Sequence, residues 1–185
     1  MAVLKVIEYG DELLRGQTEK ITKVSAKIHT LIEDMFDTMY AHNGVGLAAP
    51  QVGVMKQLFV LDCSPEDPSL GQMIFINPVI VRKTGACQSF EGCLSFPGVY
   101  TDVRRYADIT VRFMDIKGKQ RQLDVGGGTL LARAIQHELD HLNGVLFVDH
   151  VIDRFTAEQQ LQENKLPPID PERLLDEPEI ESLLA

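Results

Sequence analysis

Residues 130–142, LLARAIQHELDHL, constrain the fold more than any other stretch of this chain. Leu131, Ile135, Leu139 and Leu142 recur at helical spacing and form one apolar stripe. Leu130, Arg133, Ala134, His137, Glu138 and His141 fall on another face, roughly opposite. Thr129 is placed to cap the start and Gly144 to stop the end. The histidine pair therefore points away from the leucine stripe, into whatever the rest of the chain encloses. This predicts a helix at the centre of the fold.

His137, Glu138 and His141 form an H-E-x-x-H pattern, in which positions i and i+4 share a face and both imidazoles can reach one metal ion. A catalytic metal usually takes three protein ligands and keeps one position open, so a third ligand is required. The extension that gives one class of zinc proteases its third histidine keeps Gly144 here but meets Phe147 where the histidine belongs. His150 comes three residues late, and Glu158 and Glu163 lie in a segment that reads as solvated charge. The upstream thiols remain. Cys63 follows an apolar strand and reads as core, Cys87 lies on a strand-like approach, and Cys93 sits in GCLSFPG, read as an irregular loop. Spacing alone does not decide for Cys93.

Elsewhere, Ile28, Leu31, Ile32, Met35, Phe36, Met39 and Tyr40 predict an amphipathic helix over 24–42, ended by Asn43-Gly44. Residues 1–20 read as an irregular arm with a helical turn near Asp11 to Leu14. The middle is β-rich, with strands expected over 57–62, 73–82, 107–115 and 119–125 and a hairpin turn at Ile116 to Lys119. Gly126-Gly127-Gly128 lacks the surroundings of a phosphate loop and reads as a flexible connector. No repeat is visible. A length of 185 residues is that of one ordinary domain.

Composition narrows the function classes. A net charge of −9 argues against a general binder of nucleic acid or anionic membrane. Three cysteines at irregular spacing do not make a disulfide framework, and the N-terminus has no apolar signal core, so a reducing, cytoplasmic compartment is expected. Residues 152–185 carry nine acidic groups against three basic ones. A short helix, a break at Leu166-Pro167-Pro168 and an acidic, poorly ordered or weakly helical end are expected there.

Three motifs, GVGLAAPQVG (44–53), EGCLS (91–95) and QHELDHL (136–142), resemble in order and spacing those of the peptide deformylases. The resemblance spans roughly residues 5 to 150. It implies an α+β fold, with antiparallel β-sheets packed around a central metal-binding helix, an N-terminal amphipathic helix and a C-terminal acidic tail. The expected organisation is a catalytic domain over 1–151 followed by the tail at 152–185. The implied activity is removal of the N-formyl group from the N-terminal formylmethionine of newly made polypeptides. Residue by residue, Cys93, His137 and His141 would bind one divalent metal ion, Fe2+ foremost, with Zn2+, Ni2+ or Co2+ accepted. Glu138 would be the general acid/base, and Gln51 and the backbone N–H of Leu94 would hold the formyl oxygen.

Gly44 and Gly46 suit a loop that a peptide backbone approaches closely. Val45, Leu130 and Ala134 are candidates for a pocket that takes the methionine side chain. Glu91 and Arg105 are either an ion pair supporting the Cys93 loop or two unrelated surface charges, and Asp140 belongs to the third motif without an assigned role. Two features depart from family members. Tyr100, in a stretch read as loop, stands where some carry an arginine, and the tail is acidic where some carry a basic helix. Formylated nascent peptides are the expected partners, with transient ribosome proximity but no direct nucleic-acid binding and no membrane. The rivals are a zinc endopeptidase, which would not need Cys93, and a metal-stabilised interaction module, which would leave Glu138 idle.

Overall fold

The computed structural model describes residues 2–175. Helix α1 (Ala26–Ala41) is followed by strands β1 (Gly46–Ala48), β2 (Leu58–Asp62), β3 (Gln72–Thr84), β4 (Cys87–Cys93), β5 (Phe96–Arg105), β6 (Asp108–Met114) and β7 (Gln120–Val125). Helices α2 (Leu130–Leu142) and α3 (Arg154–Glu163) complete the order. The strands form a five-stranded antiparallel sheet, β1-β2-β3-β6-β7, and a separate hairpin, β4-β5.

The sheet is covered on both faces, which explains why β2 is almost wholly buried. Alternation divides its residues between two cores. Phe59 and Leu61 join Phe75, Val111, Leu131, Ile135 and Leu142 on the α2 side. Leu58 and Val60 join Leu47, Ile76, Met35 and Met39 on the α1 side. A third core lies between β5, α3 and the short 3-10 turn Phe147–His150. The central position predicted for the 130–142 helix holds: both of its stripes are largely buried.

Most predicted elements fall within two residues of those observed. Asp11 caps a 3-10 turn at Glu12–Arg15, and the Thr129 hydroxyl accepts from the Ala132 N–H. Asn43 rather than Gly44 takes the left-handed conformation after α1. The three glycines make a turn held to the start of β6, where Gly127 N–H donates to Asp108 and Gly128 N–H to Ala107 O.

The region around Cys93 requires a correction. It is a hairpin, not an irregular loop: Cys93 ends β4 at a register irregularity, and Val99 to Arg105 lie in β5. The inward positions of β5 include Phe96, Val99, Thr101, Val103 and Arg105. Pro97-Gly98 interrupts that alternation, and two inward side chains are polar, so period-two reading fails. The start of the tail holds the expected short helix, α3, which ends before the two prolines. Its packing was not expected, since Ala157 and Leu161 are buried and Ile169 beyond the prolines is only 2% exposed. The acidic end at 176–185 lies outside the described residues.

Candidate active site

Helix α2 is fixed before it carries any chemistry. Gln136 accepts from Tyr106 N–H at 2.9 Å and donates to Tyr106 O and Ala132 O at 2.9 Å, tying the helix to the β5–β6 connection. From this anchored helix His137 and His141 project towards Cys93 at the end of β4. One donor atom from each of the three lies within 4.8 Å of the others. Cys93 Sγ is 3.3 Å from His141 Nε2. Neither His150 nor Glu158 nor Glu163 joins them. The structure thus brings together the upstream thiol and the helical pair.

The donor set suits a divalent metal: one thiol and two imidazoles, in a buried place. The imidazoles are oriented for it. Glu91 Oε2 is 2.9 Å from His137 Nδ1, which leaves the other ring nitrogen to the Cys93 side. His141 is 1% exposed, and burial, reinforced by the charge of His137, drives its pKa well below the ordinary value. That keeps the ring neutral, the form that binds metal.

Behind these residues runs a buried ionic network. Arg105 is 2% exposed and donates through Nε and Nη2 to both oxygens of Glu91, at 2.9 and 2.8 Å. Its Nη1 donates to Asp140 at 2.5 Å, and Asp140 Oδ2 lies 3.0 Å from His150 Nε2. Burial pushes Glu91 towards protonation, but Arg105 and His137 outweigh it and hold the carboxyl far below its usual range. The Glu91–Arg105 pair is therefore real, and Asp140 gains a role: it anchors the second side of the guanidinium. Sequence reading missed Asp140 and His150 as members of the network. No sequence signal marked them, because the strand that turns Arg105 inward was itself not legible.

Glu138 is 5% exposed and lies on the same helix turn as His137. Burial raises its pKa to about 7, against the pull of His137. Its carboxylate rests on the backbone of β1. A Cβ on Gly46 would lie 2.3 Å from Glu138 Oε1 and 2.7 Å from Leu61 Cδ2. Gly46 is thus required by the glutamate, a reason separate from the close approach of a peptide. Gln51 sits in a 3-10 turn, Ala49–Val52, after β1. Its Oε1 accepts from Ala48 N–H at 2.8 Å, which turns the NH2 group towards Cys93 Sγ (3.3 Å) and Ser95 Oγ (3.2 Å). Leu94 lies in the turn between β4 and β5.

A cleft of about 510 Å³ opens beside these groups. Gly44, Val45 and Gly46 line one part, Leu130 and Ala134 another, together with Gln51, Cys93, Leu94, His137 and Glu138. Every candidate site residue named from the sequence thus borders the cleft except the buried His141. Phe90 and Tyr100 form an exposed stacked pair in its wall, centroids 6.1 Å apart, with the Tyr100 ring lying over Gly92.

The fold and the cluster are those of a metal-dependent hydrolase. Residues 3–156 match the polypeptide deformylase family. A peptide deformylase of Prochlorococcus marinus (strain NATL1A) is 48% identical over 162 residues, covering 87% of this chain and 79% of the relative. Among solved structures, a peptide deformylase from Synechococcus elongatus in complex with actinonin has a TM-score of 0.84 at 40% identity, covering 91% of this chain and 94% of that one. One from Legionella pneumophila has a TM-score of 0.80 at 41% identity, covering 89% and 96%. The chain belongs to the peptide deformylase family, enzymes that remove the N-formyl group from nascent peptides.

Proposed function

We propose that this chain hydrolyses the formyl amide of N-terminal formylmethionine, releasing formate and a free amino terminus. The observation that carries the reading is the convergence of Cys93, His137 and His141 beside a buried Glu138 of raised pKa and an oriented Gln51 amide. Cys93, His137 and His141 would hold one divalent ion, with Fe2+ the expected metal and Zn2+, Ni2+ or Co2+ as substitutes. Such an ion, when bound, activates water at neutral pH and polarises a carbonyl.

The chain's own residues account for the remaining steps. Glu138, near half-ionised at neutrality, takes the proton of the attacking water and passes it to the departing amine as the C–N bond breaks. Negative charge develops on the formyl oxygen, and the Gln51 amide and Leu94 N–H are the donors for it. Gln51 needs no reorganisation, because Ala48 N–H already fixes its other end. Gly44, Val45, Gly46, Leu130 and Ala134 would bind the substrate.

Formylated nascent peptides, met in the cytoplasm during brief ribosome proximity, would be the partners. The acidic charge after residue 151 should repel RNA rather than dock on it. Among the described residues, no helix is long and apolar enough to cross a membrane. An anaerobic formate-release assay on formyl-Met-Ala-Ser with the iron-loaded protein tests the reading. Steady release of formate is expected, and cleavage at internal peptide bonds instead would overturn it. In the same assay Leu130→Trp should lower kcat/KM by about 100-fold or more, the scale on which a filled apolar pocket discriminates. Undiminished cleavage by that variant would remove Leu130 from the methionine pocket.

A further inference from the structure

We propose that the segment Leu166 to Ile169, beyond the end of the family match, is a positioning element for the Gln51 and Cys93–Ser95 side of the site. It acts through the N-terminal arm. The inference rests on the reading of Gln51 as the oxyanion donor.

The arm bridges the two loops that carry those residues. Ile7 N–H donates to Gln51 O and Tyr9 N–H to Ser95 O, each at 2.8 Å. Between the same two residues, Gln51 Nε2 donates to Ser95 Oγ. Residues 7–9 therefore close a loop of hydrogen bonds that sets the distance between the amide donor and the β4–β5 turn. Tyr9 also stacks on Phe96, centroids 4.4 Å apart, immediately after that turn. Phe96 meets Phe147 edge-on at 5.0 Å, and Phe147 lies 5.8 Å from the His137 ring.

An arm of this kind frays unless something holds it down. The chain returns after α3 to do so. Tyr9 OH donates to Pro168 O at 3.1 Å. Pro167 packs over Gly10, whose φ of +110° turns the arm. A Cβ there would lie 3.1 Å from Pro167 Cγ. Ile169 is buried in one core with Leu14, Phe96 and Phe147, against which Ile7, Tyr9 and Cys93 pack. Asn164 secures the approach by donating to Gly98 O. Two prolines hold this return in an extended path at little entropic cost. Removing it deletes no proposed catalytic group but frees the strap that spaces them, and small misplacements of preorganised donors are costly in rate.

The test compares truncation after Lys165 with truncation after Leu175, each in wild-type and Gln51→Ala backgrounds, with kcat, KM and bound metal measured. Truncation after Lys165 should lower kcat about tenfold with KM within about twofold and metal content unchanged. In the Gln51→Ala background the same truncation should lower kcat by less than about twofold, because the group it positions is gone. Truncation after Leu175 should leave kcat unchanged. An unchanged kcat after the shorter truncation, an equal loss with and without Gln51, or a loss on truncation after Leu175 would each overturn the proposal. Where the shorter chain does not stay folded, Ile169→Ala takes its place in the same cycle. Failure of the Gln51 reading is seen separately, as an undiminished kcat in Gln51→Ala alone.

Discussion

Glu138→Gln is expected to lower kcat for formate release by about 1,000-fold or more while the protein keeps one metal ion per chain. Loss of a positioned acid/base alone accounts for about 100- to 10,000-fold. The upper part of that range is expected because, in the proposed reaction, Glu138 would serve twice, accepting a proton from water and giving one to the amine. Glutamine is the informative replacement. It fills the space against Gly46 that the carboxylate occupies, so packing is retained and only the titrating oxygen is lost. Alanine would add a cavity in a side-chain cluster that is almost wholly buried. Metal content by elemental analysis and kcat by formate release make the check. Loss of metal in Glu138→Gln would move the glutamate from the proton path into the ligand set. Full activity would leave the reading without its base.

How much of this was legible in the sequence depends on how local each signal was. Helix α2 declared itself because its two stripes, its cap and its stop all lie within sixteen residues. The same holds for α1 and for β2, β3, β6 and β7, whose apolar pattern is short-range, but not for the three-residue β1, which was not read as a strand. The β4–β5 hairpin was not legible, since Pro97-Gly98 and the inward Thr101 and Arg105 break the period on which strand reading relies. The site shows the same division. His137, Glu138 and His141 are neighbours in sequence. Cys93 lies 44 residues upstream, and spacing left its role open until three motifs were read together.

What could not be read was anything made by folding distant segments onto each other. Gly46 looked like room for a substrate and proves also to be room for Glu138. His150 looked like a failed third ligand and proves to be a partner of Asp140. The residues after the two prolines looked like solvated tail, yet Ile169 completes a core that reaches Cys93.

Arg105 should matter to stability more than any other single charge. Arg105→Met is expected to destabilise the protein by about 3–5 kcal/mol, the usual result of breaking a buried ion pair from one side. Three observations lead there. The guanidinium is nearly inaccessible, it satisfies both oxygens of Glu91, and its Nη1 donates to Asp140. Without it two carboxylates face a site that disfavours their charge. Glu91 would rise towards protonation and lose its hold on His137, so metal affinity should fall together with stability. Lysine should not rescue the variant, because a point charge cannot reproduce the fork that engages Glu91 and Asp140 at once. The cost belongs to the unpaired carboxylates more than to the lost contacts. The triple variant Arg105→Met, Glu91→Gln, Asp140→Asn should therefore be more stable than Arg105→Met alone, and the amide oxygen that Glu91→Gln introduces could still accept from His137. Urea unfolding of the three proteins, with metal content held constant, measures this. A loss below about 1 kcal/mol in Arg105→Met, or a triple variant less stable than the single one, would show that the network contributes packing and not charge compensation.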